Sequence, residues 1–428
     1  MLVKNKILNL SHNKNTNKKM GKIIKLIFVE GIGKNSNKFY NMSENSDGTF
    51  SVEYGRVDST SQKTSYPMSQ WSKKYNEKLK KGYKDITELY KIEDDNLNES
   101  KEKFISNDTY VRQLIEDLQR WASNTVKENY KVSSKNVTSK MVEEAQHIMD
   151  KISNLYQTKY TTTDLNKLLL ELFKVIPRKM GNVADYLASE NADKEEVSKI
   201  IDKEQSILDT LAGQVSLQEK EVENKSENKG ETTNLLDQMG VEVKHVTDEK
   251  TIQMVKKLMG ESSNLFNRLF EVRNFKTEKR YDDYLAKMKV KNEELFFHGS
   301  RNQNWLSIGL QSGLLIRPSG AIVTGGMFGS QGIYFADKCR KSVGYTSLSG
   351  SYWARGNDNK AYLGLFRVNL GNQKHIYKHD YSCYNLNKNN IKPYDSVYAH
   401  GGADLINSEY IIYDINQSDI RYLIEIKK

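Results

Sequence analysis

Ser408-Glu409-Tyr410-Ile411-Ile412-Tyr413-Asp414, close to the C-terminus, is the stretch on which the reading of the fold turns. Its β-branched and aromatic residues bounded by polar ones predict a short buried strand over 410–415, with an acid at its leading edge. Working outward, the same pattern predicts strands at 294–298, 332–336, 361–370 and 422–426, joined by long glycine-rich loops of the kind that carry function. One or two helices, around 251–259 and 261–270, precede them. The C-terminal unit, 236–428, is therefore expected to be mixed α/β.

Upstream the character changes. Residues 223–235 form a polar stretch poor in apolar residues, with the composition of a linker. Residues 105–222 are expected to be a bundle of four amphipathic helices, with stripes such as Val111, Leu114, Ile115, Leu118 and Trp121, and Leu165, Leu168, Leu169, Leu172 and Phe173. Residues 21–100 predict a small β-rich unit: a strand over 22–30, a hairpin turned at Asp47-Gly48, alternation through Phe50, Val52 and Tyr54, and a helix at 69–79. Residues 1–20 carry five lysines and no acid, a basic arm.

The charge distribution exceeds the composition in information. The 428 residues carry 65 Lys+Arg against 55 Asp+Glu. Residues 1–91 hold 18 against 8, so the whole excess of +10 lies there and the remainder balances at 47 against 47. A basic N-terminal unit on a neutral body suits a polyanion, above all nucleic acid, and Lys73 and Lys74 beside Trp71 and Tyr75 offer cations interleaved with aromatics. The bland alternative is a solvated lysine surface. No stretch is apolar for long enough to span a membrane, so no membrane partner is expected. Two cysteines, Cys339 and Cys383, form no zinc spacing, and His375 and His379 lack further ligands, so no metal is expected. Gly31-Ile32-Gly33 lacks the third glycine and the helix of a hydride-transfer dinucleotide fold.

His298-Gly299-Ser300, then Gly332-Ile333-Tyr334-Phe335-Ala336-Asp337 with Lys341-Ser342 and Tyr345, and finally the Glu409 segment occur in an order and spacing that resemble the catalytic domain of the poly(ADP-ribose) polymerases. The resemblance extends over residues 20–428: Tyr54-Gly55-Arg56 is similar to the WGR triplet, and the helical segment to the family's regulatory domain. It implies an α+β multidomain protein made of a β-rich WGR domain, an all-α bundle and a transferase domain on antiparallel sheets. It further implies NAD as co-substrate, protein acceptors including the chain itself, and DNA strand breaks or ends as partners. The location implied is nuclear in a eukaryote, and cytoplasmic or nucleoid in a bacterium.

The resemblance assigns roles residue by residue. Glu409, His298, Tyr334 and Lys341 are the catalytic candidates; His298, Gly299, Ser300, Tyr334, Ala336, Ser342, Tyr345 and Arg317 are the NAD-binding ones. Cleaving the nicotinamide–ribose bond builds positive charge on the ribose, which a carboxylate at Glu409 meets. His298 holds the adenine-side ribose, Gly299 and Ser300 the nicotinamide amide, and Tyr334 and Tyr345 sandwich its ring. Tyr54, Gly55, Arg56, Lys73 and Lys74 are the nucleic-acid candidates. Two features depart from the family: Leu315 stands where an arginine is frequent in the donor loop, with Arg317 two places on, and Tyr54 replaces the first aromatic of the triplet. The expected activity is poly-ADP-ribosylation activated by DNA breaks; mono-ADP-ribosylation and an inactive DNA-end scaffold are the alternatives.

Overall fold

The computed structural model describes residues 21–90, 106–131, 137–157, 160–227, 235–316, 326–329 and 331–428. The basic arm, Arg317 and the stretch 228–234 of the expected linker lie outside the described residues.

The N-terminal sheet contains β1 (Ile23–Glu30), β2 (Ser36–Glu44), β3 (Thr49–Arg56) and β4 (Gln62–Pro67), followed by α1 (Trp71–Lys80) and the short β5 (Lys84–Asp85). Its antiparallel order is β4-β3-β2-β1-β5. The Asp47-Gly48 turn closes the β2–β3 hairpin: Gly48 takes φ +80°, and the Asp47 carboxylate accepts from the Thr49 amide at 3.0 Å. Alternation gives the sheet two apolar faces. Leu26, Tyr40, Met42, Phe50 and Val52 pack with Trp71 of α1, while Ile27 and Val29 join the core of the helices that follow. The polar run of β4 gave no strand signal in the sequence.

Four long helices follow: α2 (Thr109–Asn129), α3 (Ser139–Gln157), α4 (Thr162–Val175) and α5 (Lys194–Glu227). Asp108 caps α2 by accepting from the Tyr110 amide at 2.8 Å, and Thr161 caps α4. The apolar stripe of α2 does not face its sister helices alone. Val111, Leu114, Ile115, Leu118 and Ala122 bury in one core with Phe296, Trp305, Leu306 and Leu310 of the C-terminal unit. Periodicity identifies an apolar face but not what covers it. The α5 helix also runs to Glu227, so the expected linker start at 223 is still helical, and α6 (Leu235–Met239) occupies its far end.

The C-terminal unit runs β6 (Val241–His245), α7 (Glu249–Met259), β7 (Phe266–Asn274), α8 (Phe275–Leu285), β8 (Glu293–Gly299), α9 (Trp305–Leu310), β9 (Ile333–Phe335), α10 (Cys339–Val343), β10 (Lys360–Asn369), β11 (Gln373–Ile376), β12 (Ser396–Ala399), β13 (Glu409–Ile412) and β14 (Ser418–Lys427). It is mixed α/β on two sheets, ordered β6-β7-β14-β10-β8 and β11-β12-β13-β9, antiparallel except for the β11–β12 pair. The helix expected over 261–270 is instead a 3₁₀ turn at Gly260–Leu265 followed by β7. Gly260 at φ +58° ends α7, and Phe270, Val272 and Asn274 then alternate into the core of a central strand.

Candidate active site

The two C-terminal sheets meet where Phe297 of β8 and Ala336, just past β9, exchange backbone hydrogen bonds of 2.9 and 3.1 Å. On the other side β9 pairs with β13, Tyr334 opposite Ile411. This junction draws together β8 with His298 and Gly299, β9 with Tyr334, α10 with Lys341 and Ser342, and the first residue of β13, Glu409. Ala336 therefore serves through its backbone, as the stitch between sheets.

The carboxylate of Glu409 is 6 % exposed. Its Oε1 lies 2.5 Å from Lys341 Nζ, which also donates to the Asn407 carbonyl at 3.4 Å. Its Oε2 is buried and has no hydrogen-bond partner among the described residues. Burial raises the Glu409 pKa above the ordinary carboxylate value, and the Lys341 ammonium opposes that rise. A buried acceptor without a donor costs about 1–3 kcal/mol, more when charged, so this oxygen is left open to a donor.

His298 is fixed by its second ring nitrogen. Nδ1 lies 3.0 Å from the Tyr334 carbonyl oxygen, which can only accept, so Nδ1 carries the proton and Nε2 keeps its lone pair. Burial lowers the His298 pKa, favouring the neutral ring. The imidazole thus presents an acceptor, as suits a ribose hydroxyl.

Tyr334 is held at its hydroxyl, which donates to the Gly329 carbonyl at 2.8 Å and accepts from the Phe328 amide at 3.0 Å. Tyr345 stacks on Trp353 with centroids 6.1 Å apart and planes 19° apart. Burial pushes the Tyr345 hydroxyl up to about 12 and raises that of Tyr334 as well, so both stay neutral phenols. The sequence singled out both tyrosines but missed Trp353, whose aromatic-rich loop was the only signal.

Gly299 has a structural reason beyond closeness to a ligand. A Cβ there would sit 1.9 Å from the Ser342 carbonyl oxygen and 3.2 Å from the Tyr345 Cβ. Only glycine lets α10 and Tyr345 pack against β8. Ser300 accepts from Asn304 Nδ2 at 3.0 Å through Oγ, leaving its own hydroxyl hydrogen to donate. Ser342 is buried.

The nucleic-acid candidates lie far along the chain from this junction. Arg56 NH2 donates to the Gly181 carbonyl at 2.6 Å, the Met180 carbonyl at 3.1 Å and Asn35 Oδ1 at 2.9 Å, and NH1 donates to the Asn35 carbonyl at 3.1 Å. Its donors are divided between Asn35, in the β1–β2 connection, and the segment between α4 and α5. Tyr54 is partly buried against Tyr40 at 6.0 Å, and Gly55 has Thr60 O 3.4 Å from where a Cβ would lie. Lys73 is exposed, and Lys74 sits 4.4 Å over the Tyr66 ring. His375 and His379 are not on a helix: His375 Nδ1 lies 2.8 Å from His400 Nε2, and His379 Nε2 lies 2.9 Å from the Met327 carbonyl. No group of three or more metal-ligating side chains occurs among the described residues.

A neutral acceptor imidazole, two phenol rings, and a buried carboxylate with one open oxygen beside an ammonium thus lie around one junction. The description "Poly(ADP-ribose) polymerase catalytic domain" matches residues 248–428. A "Putative poly [ADP-ribose] polymerase-like 100L" from Invertebrate iridescent virus 6 is 34% identical over 166 residues, 38% of this chain and 86% of that protein. "Uncharacterized protein 101L" of the same virus is 34% identical over 181 residues, 42% of this chain and 73% of that protein. "Poly [ADP-ribose] polymerase 1" of Danio rerio is 31% identical over 180 residues, 37% of this chain but 17% of that protein. The chain belongs to the poly(ADP-ribose) polymerase family. It is an NAD+ ADP-ribosyltransferase.

Proposed function

We propose that this chain transfers ADP-ribose from NAD to protein acceptors, itself included, and onto the hydroxyls of growing ADP-ribose chains, with nucleic-acid ends raising the rate through residues 21–90. In the step, the bond between ribose C1′ and the nicotinamide nitrogen breaks, and its electron pair leaves with nicotinamide. The acceptor oxygen bonds to C1′ and gives up its proton to solvent. Nicotinamide lies against Tyr334 and Tyr345, with its amide at Gly299 and Ser300. The adenine-side ribose gives a hydroxyl hydrogen to His298 Nε2, and a hydroxyl of the nicotinamide ribose gives one to Glu409 Oε2. The carboxylate then faces the positive charge that develops on that ribose.

The observation that carries this reading is the buried Glu409 carboxylate, ion-paired on Oε1 and open on Oε2. The charge excess of residues 1–91 supports the nucleic-acid arm. The test is incorporation of labelled NAD into protein with and without nicked or blunt-ended DNA, comparing wild type with Glu409→Gln on a denaturing gel. A DNA-stimulated smear that disappears in the variant is expected. A single shifted band limits the chemistry to one ADP-ribose per site, and equal labelling with and without DNA removes the nucleic-acid arm.

A further inference from the structure

The α8 helix has two faces of different character. Its inner face is tied into the fold: Thr277 Oγ1 donates to Asp419 at 2.7 Å, Tyr281 donates to Glu293 at 2.5 Å, and Glu278 pairs with Arg273 at 2.8 Å. Its other face, continued past the helix end, lines a cleft of about 390 Å³ with Lys276, Lys279, Arg280, Asp283, Tyr284 and Lys287, closed on one side by Asn416. The spacing of three, four and seven residues stacks these cations along one stripe. Lys279 has a carboxylate at ion-pair distance, Asp283 at 2.7 Å. Among the described residues none lies within that distance of Lys276, Arg280 or Lys287.

Arg280 is the group that gives the cleft a directed donor. Its NH1 reaches the Ser312 carbonyl at 3.4 Å, and NH2 lies 3.2 Å from where a Cβ on Gly313 would stand, so the guanidinium is held against the 312–313 turn. Its Nε is buried with no hydrogen-bond partner among the described residues. Like charges three and four residues apart destabilise a helix, and a buried N–H without an acceptor adds to that cost. A ligand with closely spaced phosphate oxygens relieves the repulsion, because NH2 of Arg280 makes no hydrogen bond among the described residues and can donate to one phosphate while the flanking ammoniums neutralise the second charge. The volume is that of a nucleotide-sized ligand.

We propose that this cleft is a second nucleotide site that binds the pyrophosphate of an ADP-ribose unit, distinct from the site at Glu409. Arg280 contacts one phosphate, Lys276 and Lys287 flank the pair, and Tyr284 offers a phenol beside them. Arg280 lies against the Ser312–Gly313 turn, and Asn416 belongs to the segment just beyond β13.

Isothermal titration of the full chain with inorganic pyrophosphate, repeated with ADP-ribose as competitor, tests the proposal. Lys276→Glu/Lys287→Glu is the comparison; both lysines are exposed, and an unchanged Tm establishes that the variant is folded. The expected result is pyrophosphate binding that ADP-ribose displaces and that weakens at least about tenfold in the variant. Equal affinity in the two proteins overturns the site. Displacement of pyrophosphate by a single-stranded oligodeoxynucleotide but not by ADP-ribose also overturns it, and makes the cleft a contact for nucleic-acid backbone.

Discussion

Glu409 spends one carboxylate oxygen on Lys341 and keeps the other without a partner among the described residues. Glu409→Gln keeps the shape but removes the charge, and turnover is expected to fall about 100- to 1000-fold. The pH dependence follows from burial raising the Glu409 pKa while Lys341 holds it down. In the proposed role the carboxylate acts ionised, so the acid limb of the rate profile should lie above the ordinary carboxylate range. Lys341→Met should move that limb higher still; a limb that stays in place refutes the electrostatic link. Stability has the opposite sign. The folded protein binds this proton more tightly than the unfolded chain, so Glu409 costs stability increasingly as pH rises from the unfolded value through the raised folded one. Thermal melts of Glu409→Gln should lack that part of the slope. Gly299→Ala tests packing in place of charge: its Cβ would require the Ser342 carbonyl to retreat from 1.9 Å, displacing α10 and with it Lys341. Loss of turnover accompanied by a lower Tm is expected, since overpacking costs about 1–3 kcal/mol.

At the scale of elements, α2 ties the helical segment to the transferase unit. It buries its stripe in the core of the transferase unit, and it carries Asp117, 4 % exposed, which pairs with Lys360 on β10 and with Arg120. Asp117→Asn leaves Lys360 with the more distant Glu425 at 3.8 Å. Breaking a buried pair from one side costs about 3–5 kcal/mol, so Tm should drop by several degrees, and amide exchange should quicken in α2 before α3 or α4. Uniform exchange in all three helices would show that α2 belongs with the bundle and not with the sheet. This element also marks the border of what the sequence discloses. The stripes of the four helices and the strands bearing His298, Tyr334 and Glu409 were legible because each is a local periodic pattern around a distinctive residue. The partner of α2, the strand character of 266–274 and the stacking of Trp353 on Tyr345 were not, because each depends on residues distant in sequence. For the same reason Gly299 could be marked as necessary from sequence, yet the carbonyl that makes it so could not be named.

Across the whole molecule, packing is continuous from the N-terminal sheet to the active-site unit. Ile27, Val29 and Ile86 share a core with α3, α4 and α5; Gln311 beside α9 donates to the Gly213 carbonyl of α5 at 2.8 Å; and α2 closes the contact with the transferase sheet. If nucleic acid acts on the N-terminal unit, its effect crosses into the helices through this shared core and through polar contacts that include the Arg56 cluster, Asn37 with the Arg178 carbonyl, Thr138 with the Leu89 carbonyl and the Lys84–Glu171 pair. Arg56→Ala removes four hydrogen bonds from a charged donor, each worth about 1.5–3 kcal/mol at most, but it leaves Tyr54, Lys73 and Lys74 in place. The expected outcome is DNA affinity close to wild type, turnover without DNA unchanged, and stimulation by DNA reduced several-fold, measured by fluorescence anisotropy beside labelled-NAD incorporation. Loss of DNA affinity would instead make Arg56 a direct nucleic-acid contact, and retention of full stimulation would mean that the signal travels by the remaining contacts, such as the apolar core at Ile27 and Val29 or the Asn37–Arg178 hydrogen bond. The two readings differ in which assay moves first, because a residue that couples units changes the response to the ligand, whereas a residue that binds the ligand changes the concentration at which the response occurs.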